Sequence, residues 1–211
     1  FSAYLDLVNA KKIQMGDAIN VVVPTGNFGN ILASYYAKRM GLPVHKFICA
    51  SNSNNVLTDF IRTGTYDKKR AFYTTISPSM DILVSSNLER LLYHLCGEDT
   101  EKLTGWMNAL QSGGAYTVDA VTADAVRALF YGGCCDDKET VEVIRNTFEK
   151  DGYLCDTHTA VAVGVYEQYL KETGDNTPAV IASTASPYKF PDSVLDAFGC
   201  EKPADPFAEA G

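Results

Sequence analysis

The sequence lacks a long apolar run and lacks the residue clusters that build metal or redox sites. No stretch approaches the roughly 20 consecutive apolar residues that a membrane span needs. The six cysteines form no Cys-x-x-Cys pair, and the three histidines do not cluster with them in sequence. We therefore expect no membrane partner, no metal site, and free thiols in a reducing cytoplasm.

Positive charge is also scarce. The 211 residues carry 18 Lys and Arg against 26 Asp and Glu, which gives a formal net charge of −8. This balance argues against a nucleic acid or an anionic membrane as the partner, although a local group of backbone N–H groups can still hold a small anion. With 46% hydrophobic residues, the chain has enough apolar material for one domain with a sizeable core.

The most informative segment is 20–30, which reads Asn-Val-Val-Val-Pro-Thr-Gly-Asn-Phe-Gly-Asn. A continuous apolar run predicts a strand over 19–24, and helical spacing after the loop predicts a helix over 31–41. Unpaired N–H groups at a helix N-terminus favour an anion, so the loop is a candidate phosphate site. It is neither a Walker loop nor a Gly-x-Gly-x-x-Gly loop, and its spacing alone also fits an ordinary strand-to-helix turn.

Each residue of this loop has an expected role. Gly26 and Gly29 are expected to adopt positive φ and to let the main chain approach a ligand. Asn27 and Asn30 are expected to cap the helix through their side chains. Phe28 is expected to offer its N–H group while its ring packs against the protein.

The remaining pattern predicts an α/β fold with a mainly parallel sheet flanked by helices. A second strand at 44–50 completes a β–α–β unit, whose strands must be parallel, and a third clear strand covers 178–183. The region 99–151 is helix-rich, with turns expected at the glycine pairs 113–114 and 132–133, and is interpreted as a helical insertion. Further helices are predicted at 1–15, 55–62, 84–96 and 158–172, with strand-like residues at 72–75 and a loose tail after Pro203.

Four stretches of the chain carry motifs that occur together in one family. They are Pro-Thr-Gly-Asn-Phe-Gly-Asn at 24–30, Ser-Pro-Ser-Met-Asp-Ile at 77–82, Asp-Thr-His-Thr-Ala-Val-Ala at 156–162 and Ser-Thr-Ala-Ser-Pro-Tyr-Lys-Phe at 183–190. In this order they resemble the C-terminal portion of threonine synthase, a pyridoxal 5'-phosphate enzyme of the tryptophan-synthase-β fold type (fold type II). The family commonly has proline in place of Thr157 and histidine in place of Ser186. The resemblance covers nearly the whole chain, so we expect part of that fold.

The resemblance implies a cofactor, a reaction and site residues. The N–H groups of residues 26–30 would hold the phosphate of pyridoxal 5'-phosphate, and Thr184 would place its hydroxyl against the pyridine nitrogen. Alternatively, Ser183 or Thr184 caps the segment that follows. The family converts O-phosphohomoserine and water to threonine and phosphate.

The resemblance also implies a Schiff-base lysine that this sequence does not contain. In the family this lysine has a Phe-Lys-Asp setting well upstream of the phosphate loop, and no lysine here has that setting. We therefore expect residues 1–211 to be most of the large cofactor domain, without the N-terminal part that bears the lysine and without a catalytic residue of their own. Alone, the chain is expected to be inactive and to self-associate through apolar surface that the absent part would cover.

His158 could act as a general base because imidazoles titrate near neutrality. The pattern favours a simpler interpretation, in which Asp156 or Thr157 caps a helix and His158 lies in its first turn.

Three other polar residues have weaker claims to a site. Asn52 and Asn55 are expected to line a substrate pocket or, alternatively, to form a turn and a cap. Asp81 is expected to cap or to position a loop. Two other functions stay open at this point. One is a non-catalytic phosphate- or nucleotide-binding module with a Rossmann-like sheet. The other is a different fold-type II enzyme, such as a serine/threonine dehydratase, although those families usually carry more glycines in the phosphate loop.

Overall fold

A mainly parallel sheet flanked by helices forms the centre of the molecule, which confirms the predicted fold class. The computed structural model describes residues 1–200, so the tail predicted after Pro203 lies outside the described residues. The strands are β1 (Ile19–Pro24), β2 (Val44–Ser51), β3 (Thr65–Asp67), β4 (Ala115–Thr117), β5 (Phe130–Cys134) and β6 (Ala179–Ile181). The helices are α1 (Ser2–Asn9), α2 (Gly29–Arg39), α3 (Val56–Thr63), α4 (Leu88–Leu95), α5 (Thr100–Gly113), α6 (Ala120–Leu129), α7 (Asp137–Asp151), α8 (Thr157–Thr173) and α9 (Pro191–Phe198).

The main sheet has the strand order β5-β2-β1-β6, and each neighbouring pair is parallel. Val22 of β1 lies opposite Ile48 on one side and Ile181 on the other, which confirms the predicted β–α–β unit. The chain adds β2 and β5 on one side of β1 and then returns to place β6 on the other side. Open α/β sheets form ligand crevices at such a reversal, beside the carboxyl ends of the strands. β3 and β4 form a separate antiparallel pair.

Both faces of the sheet are covered, which explains the continuous apolar run of β1. All six residues of β1 are buried. Val21 and Val23 pack in one cluster with residues of α2 and α3, whereas Val22 packs in a second cluster with Val161 and Val165 of α8. Alternate side chains of a strand point to opposite faces, so only a sheet covered on both sides buries the whole run.

The region 99–151 is not a purely helical insertion, and the turn predicted at its second glycine pair is wrong. β5 lies between α6 and α7 and pairs with β2 in the main sheet. The glycines are strand residues that let helices pack closely on them. A Cβ added to Gly132 would lie 3.0 Å from Cα of Thr58, and one added to Gly133 would lie 2.6 Å from Cγ1 of Val165.

Three other boundaries differ from the predictions. The first helix ends at Asn9 instead of residue 15, because Lys11 adopts a left-handed conformation with φ 56°. The helix predicted at 84–96 begins at Leu88. Residues 72–75 form no strand in the described chain, since their polar groups bind side chains instead of a neighbouring strand.

Candidate functional site

Two segments leave the sheet at the carboxyl ends of its strands, one after β1 and one after β6. These strands are adjacent and parallel, and the N–H of Ala182 donates to the carbonyl oxygen of Val22 at 2.9 Å. The loop 25–30 and Thr184 therefore lie side by side at the carboxyl edge of the sheet. Thr184 is exposed. The structure thus brings the two predicted cofactor-binding segments together.

The left-handed residue of the loop is Phe28, not a glycine. Phe28 is the N-cap of α2 with φ 61° and ψ 16°, whereas Gly26 and Gly29 are not among the residues with positive φ. The expectation of positive φ at these two glycines is therefore wrong. A left-handed conformation is uncommon for a bulky residue and persists when packing holds it. Here the Phe28 ring is 1% exposed and its centroid lies 5.7 Å from that of Phe130.

Gly26 and Gly29 have different surroundings. A Cβ added to Gly26 would lie 2.8 Å from the carbonyl oxygen of Ser79 and 3.3 Å from Cα of Met80. A Cβ added to Gly29 would meet nothing closer than Nδ2 of Asn87, at 3.9 Å. Because Gly26 has no side chain, a second loop, Ser77–Asp81, can approach it closely. Gly29 instead faces open space at the start of α2.

Two carbonyl groups of the loop 25–30 accept hydrogen bonds from the segment before α4. Ser85 Oγ donates to the carbonyl oxygen of Gly26 at 2.8 Å, and Asn87 Nδ2 donates to that of Asn27 at 2.8 Å. In a trans peptide the C=O and the following N–H point in opposite directions. The N–H groups of Asn27 and Phe28 therefore point away from the segment that binds the carbonyls. Ser85 and Asn87 were missed by the sequence analysis, which placed both inside a helix.

The N-terminus of α2 has no side-chain cap within the described residues, so the predicted caps by Asn27 and Asn30 are wrong. The helix has no acidic residue in its first turn. Its first N–H groups and its dipole are thus free to favour an anion, which a capping carboxylate or amide would otherwise satisfy. The uncapped helix end, the open side of Gly29 and the outward N–H groups together fit a phosphate group.

A polar cluster centred on Asp81 fixes the second loop. Its carboxylate accepts hydrogen bonds from Asn52 Nδ2 at 2.8 Å, Asn54 Nδ2 at 3.0 Å and Thr75 Oγ1 at 2.7 Å. The prediction that Asp81 positions a loop is confirmed. Asn52 is 1% exposed and serves this cluster. Asn55 instead accepts from Arg70 at 2.9 Å, so a pocket role for Asn52 or Asn55 stays a prediction.

The same loop is held on its other side by the start of α8. Asp156 caps this helix by accepting from the N–H groups of His158 at 2.8 Å and Thr159 at 3.2 Å, which confirms the predicted cap. His158 is 2% exposed, and its Nε2 accepts from the N–H of Ser79 at 3.2 Å. Its ring packs on Phe190 with centroids 4.9 Å apart. His158 is therefore a buried residue that contacts the loop.

Comparison with known proteins relates this chain to threonine synthases. A family model described as "Threonine synthase, C-terminal" matches residues 159–209. The chain is 44% identical over 197 residues to "Threonine synthase-like 1" of Homo sapiens, which covers 93% of this chain and 26% of that protein. It is 40% identical over 199 residues to the threonine synthase of Schizosaccharomyces pombe, covering 84% of this chain and 39% of that protein.

A solved structure agrees with these sequence matches. The PLP-bound threonine synthase of Brucella melitensis superposes with a TM-score of 0.84 at 39% identity, over 96% of this chain and 43% of that one. The chain thus spans less than half the length of each of these proteins. None of the helices described within residues 1–200 has the length and apolar character needed to cross a membrane.

Proposed function

We propose that this chain, whose sequence and fold match the C-terminal region of threonine synthases, forms the phosphate-binding part of a pyridoxal 5'-phosphate site. One observation carries the proposal. The carbonyl groups of Gly26 and Asn27 are bound by Ser85 and Asn87, which leaves N–H groups and an uncapped helix end on the opposite side. Such an arrangement favours a phosphate dianion without a lysine or arginine.

Six residues would hold the cofactor. The N–H groups of the loop would bind the phosphate, and the Thr184 hydroxyl would face the pyridine nitrogen. Pyridoxal 5'-phosphate, when bound, supplies the electron sink for chemistry at the carbon atoms of an amino acid. A neutral hydroxyl leaves the ring nitrogen less fully protonated than a carboxylate would, so Thr184 would tune that sink. The residues are Gly26, Asn27, Phe28, Gly29, Asn30 and Thr184.

The reaction we infer for the longer protein is the conversion of O-phosphohomoserine and water to threonine and phosphate. Threonine synthases among the relatives support this reaction, whereas the name of the human relative, "Threonine synthase-like 1", states no reaction. Residues 1–211 would be most of the large cofactor domain. Their role would be to bind and orient the cofactor, while a lysine outside this chain would bind it covalently and move protons.

Anion binding by the isolated chain tests this proposal. We expect sulfate, inorganic phosphate and pyridoxal 5'-phosphate to shift the amide NMR signals of Asn27, Phe28, Gly29 and Asn30 in ¹⁵N-labelled protein. Gly29→Asp should weaken sulfate binding by about tenfold or more, because a carboxylate would occupy the same helix end. A Cβ at position 29 would meet only Nδ2 of Asn87, at 3.9 Å, so the branch point of this side chain has room.

Gly105→Asp is the matched control for this experiment. It makes the same change of charge in α5, where nothing lies within 4 Å of an added Cβ, and it should leave sulfate binding unchanged. Binding of adenosine monophosphate tests the alternative function, a nucleotide-binding module. Tighter binding of this nucleotide than of pyridoxal 5'-phosphate would favour a nucleotide-binding module, and unshifted loop amides with every anion would contradict the phosphate site.

A second experiment tests the absence of the cofactor lysine. After borohydride reduction of the chain with one equivalent of pyridoxal 5'-phosphate, peptide mapping by mass spectrometry should show only scattered, substoichiometric labelling of surface lysines. No threonine should form from O-phosphohomoserine. Stoichiometric labelling of a single lysine would show that this chain contains the residue we place elsewhere.

Self-association stays a prediction. Among residues 1–200, β6 is an edge strand, and apolar grooves of about 510 and 600 Å³ flank it on its two sides. The first groove is lined in part by Tyr4, Met40 and Val180, and the second by Leu170 and Ile181. An open strand edge between two apolar grooves is a surface that favours pairing with another strand.

A further inference from the structure

The loop Ser77–Asp81 lies directly between the phosphate loop and α8, and Ser79 contacts both. The carbonyl oxygen of Ser79 lies 2.8 Å from the position of a Cβ added to Gly26. The N–H of the same residue donates to His158 Nε2 at 3.2 Å. If this backbone segment moved away from His158, its packing against Gly26 would therefore change.

The hydrogen bonds assign the tautomer of His158. Because Nε2 accepts from Ser79, the proton of the neutral ring resides on Nδ1. That nitrogen faces Asp156 Oδ1 at 3.3 Å and Thr157 Oγ1 at 3.3 Å. Burial raises the pKa of Asp156, but hydrogen bonds from His158 and Thr159 outweigh it and hold the pKa of this carboxyl below its ordinary value. The anionic Asp156 thus favours the tautomer that leaves Nε2 free to accept.

We propose that His158 is a positioning residue for the phosphate loop, and that a proton on its Nε2 releases Ser79 and weakens anion binding at residues 26–30. This inference rests on the proposed phosphate site. A protonated imidazole donates from both nitrogens, so its Nε2–H and the N–H of Ser79 would be two donors facing each other. The hydrogen bond that holds the supporting loop would be lost.

Charged groups lie on each segment that neighbours His158. Asp156 lies on the same helix, and Asp81 belongs to the loop that His158 holds. Asp137 of α7 accepts from the N–H of Ile76 at 3.3 Å, just before that loop. Lys189 lies 5.6 Å from the centre of the Phe190 ring, on which the imidazole packs.

The test compares sulfate affinity at pH 8 and pH 5 for three forms of the full chain. Sulfate is the probe because its charge does not change in this range. For the wild type, we expect affinity to fall by about threefold to tenfold at pH 5, as for the loss of one hydrogen bond. His158→Gln keeps an acceptor at a similar reach but does not titrate, so its affinity should match the wild type at pH 8 and stay constant. His158→Leu should bind weakly at both pH values.

The glutamine variant keeps the test valid if the leucine variant fails to fold. Unfolding curves for each form at both pH values show whether the affinities refer to folded protein. A wild type that binds sulfate equally well at both pH values would overturn the role of His158, as would a His158→Gln chain that weakens in acid like the wild type. Absence of binding in all forms would contradict the phosphate site itself and this role with it.

Discussion

The molecule uses two pairs of glycines in opposite ways. Gly26 lies on the loop after β1 and Gly29 is the first residue of α2. Of this loop pair, only Gly26 is in close contact, with the backbone of another loop. Gly132 and Gly133 lie within β5, and both are in close contact with helices that cover the two faces of the sheet. The loop pair therefore leaves one side open to a ligand, while the strand pair leaves none.

Both regions also bind the carbonyl groups of their glycines with side chains. Thr58 Oγ1 donates to the carbonyl oxygen of Gly133 at 2.8 Å, and Arg62 Nε donates to that of Gly132 at 3.0 Å. Ser85 Oγ does the same for Gly26. The difference is what lies against the glycines themselves. In β5 helices pack on both glycines, which therefore serve stability, whereas in the loop pair Gly29 faces open space, so we assign this pair to binding.

The largest effect should follow from filling the space at β5. Gly133→Ala would place a methyl group 2.6 Å from Cγ1 of Val165, and Gly132→Ala would place one 3.0 Å from Cα of Thr58. Val165 is fully buried and stiff, and a backbone atom cannot rotate away, so a helix must move. We expect each change to lower the free energy of unfolding by about 1–3 kcal/mol, measured by urea denaturation.

Gly105→Ala is the control for these two variants. Its methyl group would meet nothing within 4 Å in the middle of α5. Alanine is a better helix former than glycine, so this variant should be more stable by about 0.5–1 kcal/mol. A Gly133→Ala protein as stable as the wild type would show that α8 yields easily, and the contrast between the two glycine pairs would be lost.

Much of the fold could be predicted because it depends on local pattern. The run Ile19–Pro24 was placed correctly, since a continuous apolar run of this length occurs in a strand covered on both faces. The turn at 113–114 was also predicted correctly, because Gly114 adopts φ 78° as a helix-ending glycine does. β5 could not be predicted. Its two glycines suggest a turn, and only the helices that pack on them make them strand residues.

The candidate site was predictable in position but not in detail. The strand-loop-helix pattern located residues 25–30 and the strand before Thr184, and the sheet places them together. The left-handed conformation of Phe28 depends on the burial of its ring against Phe130, which no local pattern reveals. The hydrogen bonds from Ser85 and Asn87 join residues about 60 positions apart, so sequence spacing gave no sign of them.

A smaller effect should follow from changes in the loop pair itself. Gly26→Ala would place a methyl group 2.8 Å from the carbonyl oxygen of Ser79, so the loop Ser77–Asp81 would have to shift. This short, partly exposed loop can move more easily than a largely buried helix, and we expect a loss of about 1–2 kcal/mol in the free energy of unfolding. Sulfate affinity should fall as well, because the shifted loop no longer supports the N–H groups of Asn27 and Phe28.

Gly29→Ala is the matched change on the open side of the same loop. Its nearest neighbour would be Asn87 Nδ2 at 3.9 Å, an ordinary contact distance, and Gly29 lacks the positive φ that would strain an alanine. Because alanine also favours the first turn of a helix, stability should stay within about 0.5 kcal/mol of the wild type or rise slightly. Urea denaturation of the two variants side by side measures the difference. If Gly29→Ala destabilised the protein as much as Gly26→Ala, the side of the loop that we assign to a phosphate would be filled by the protein itself.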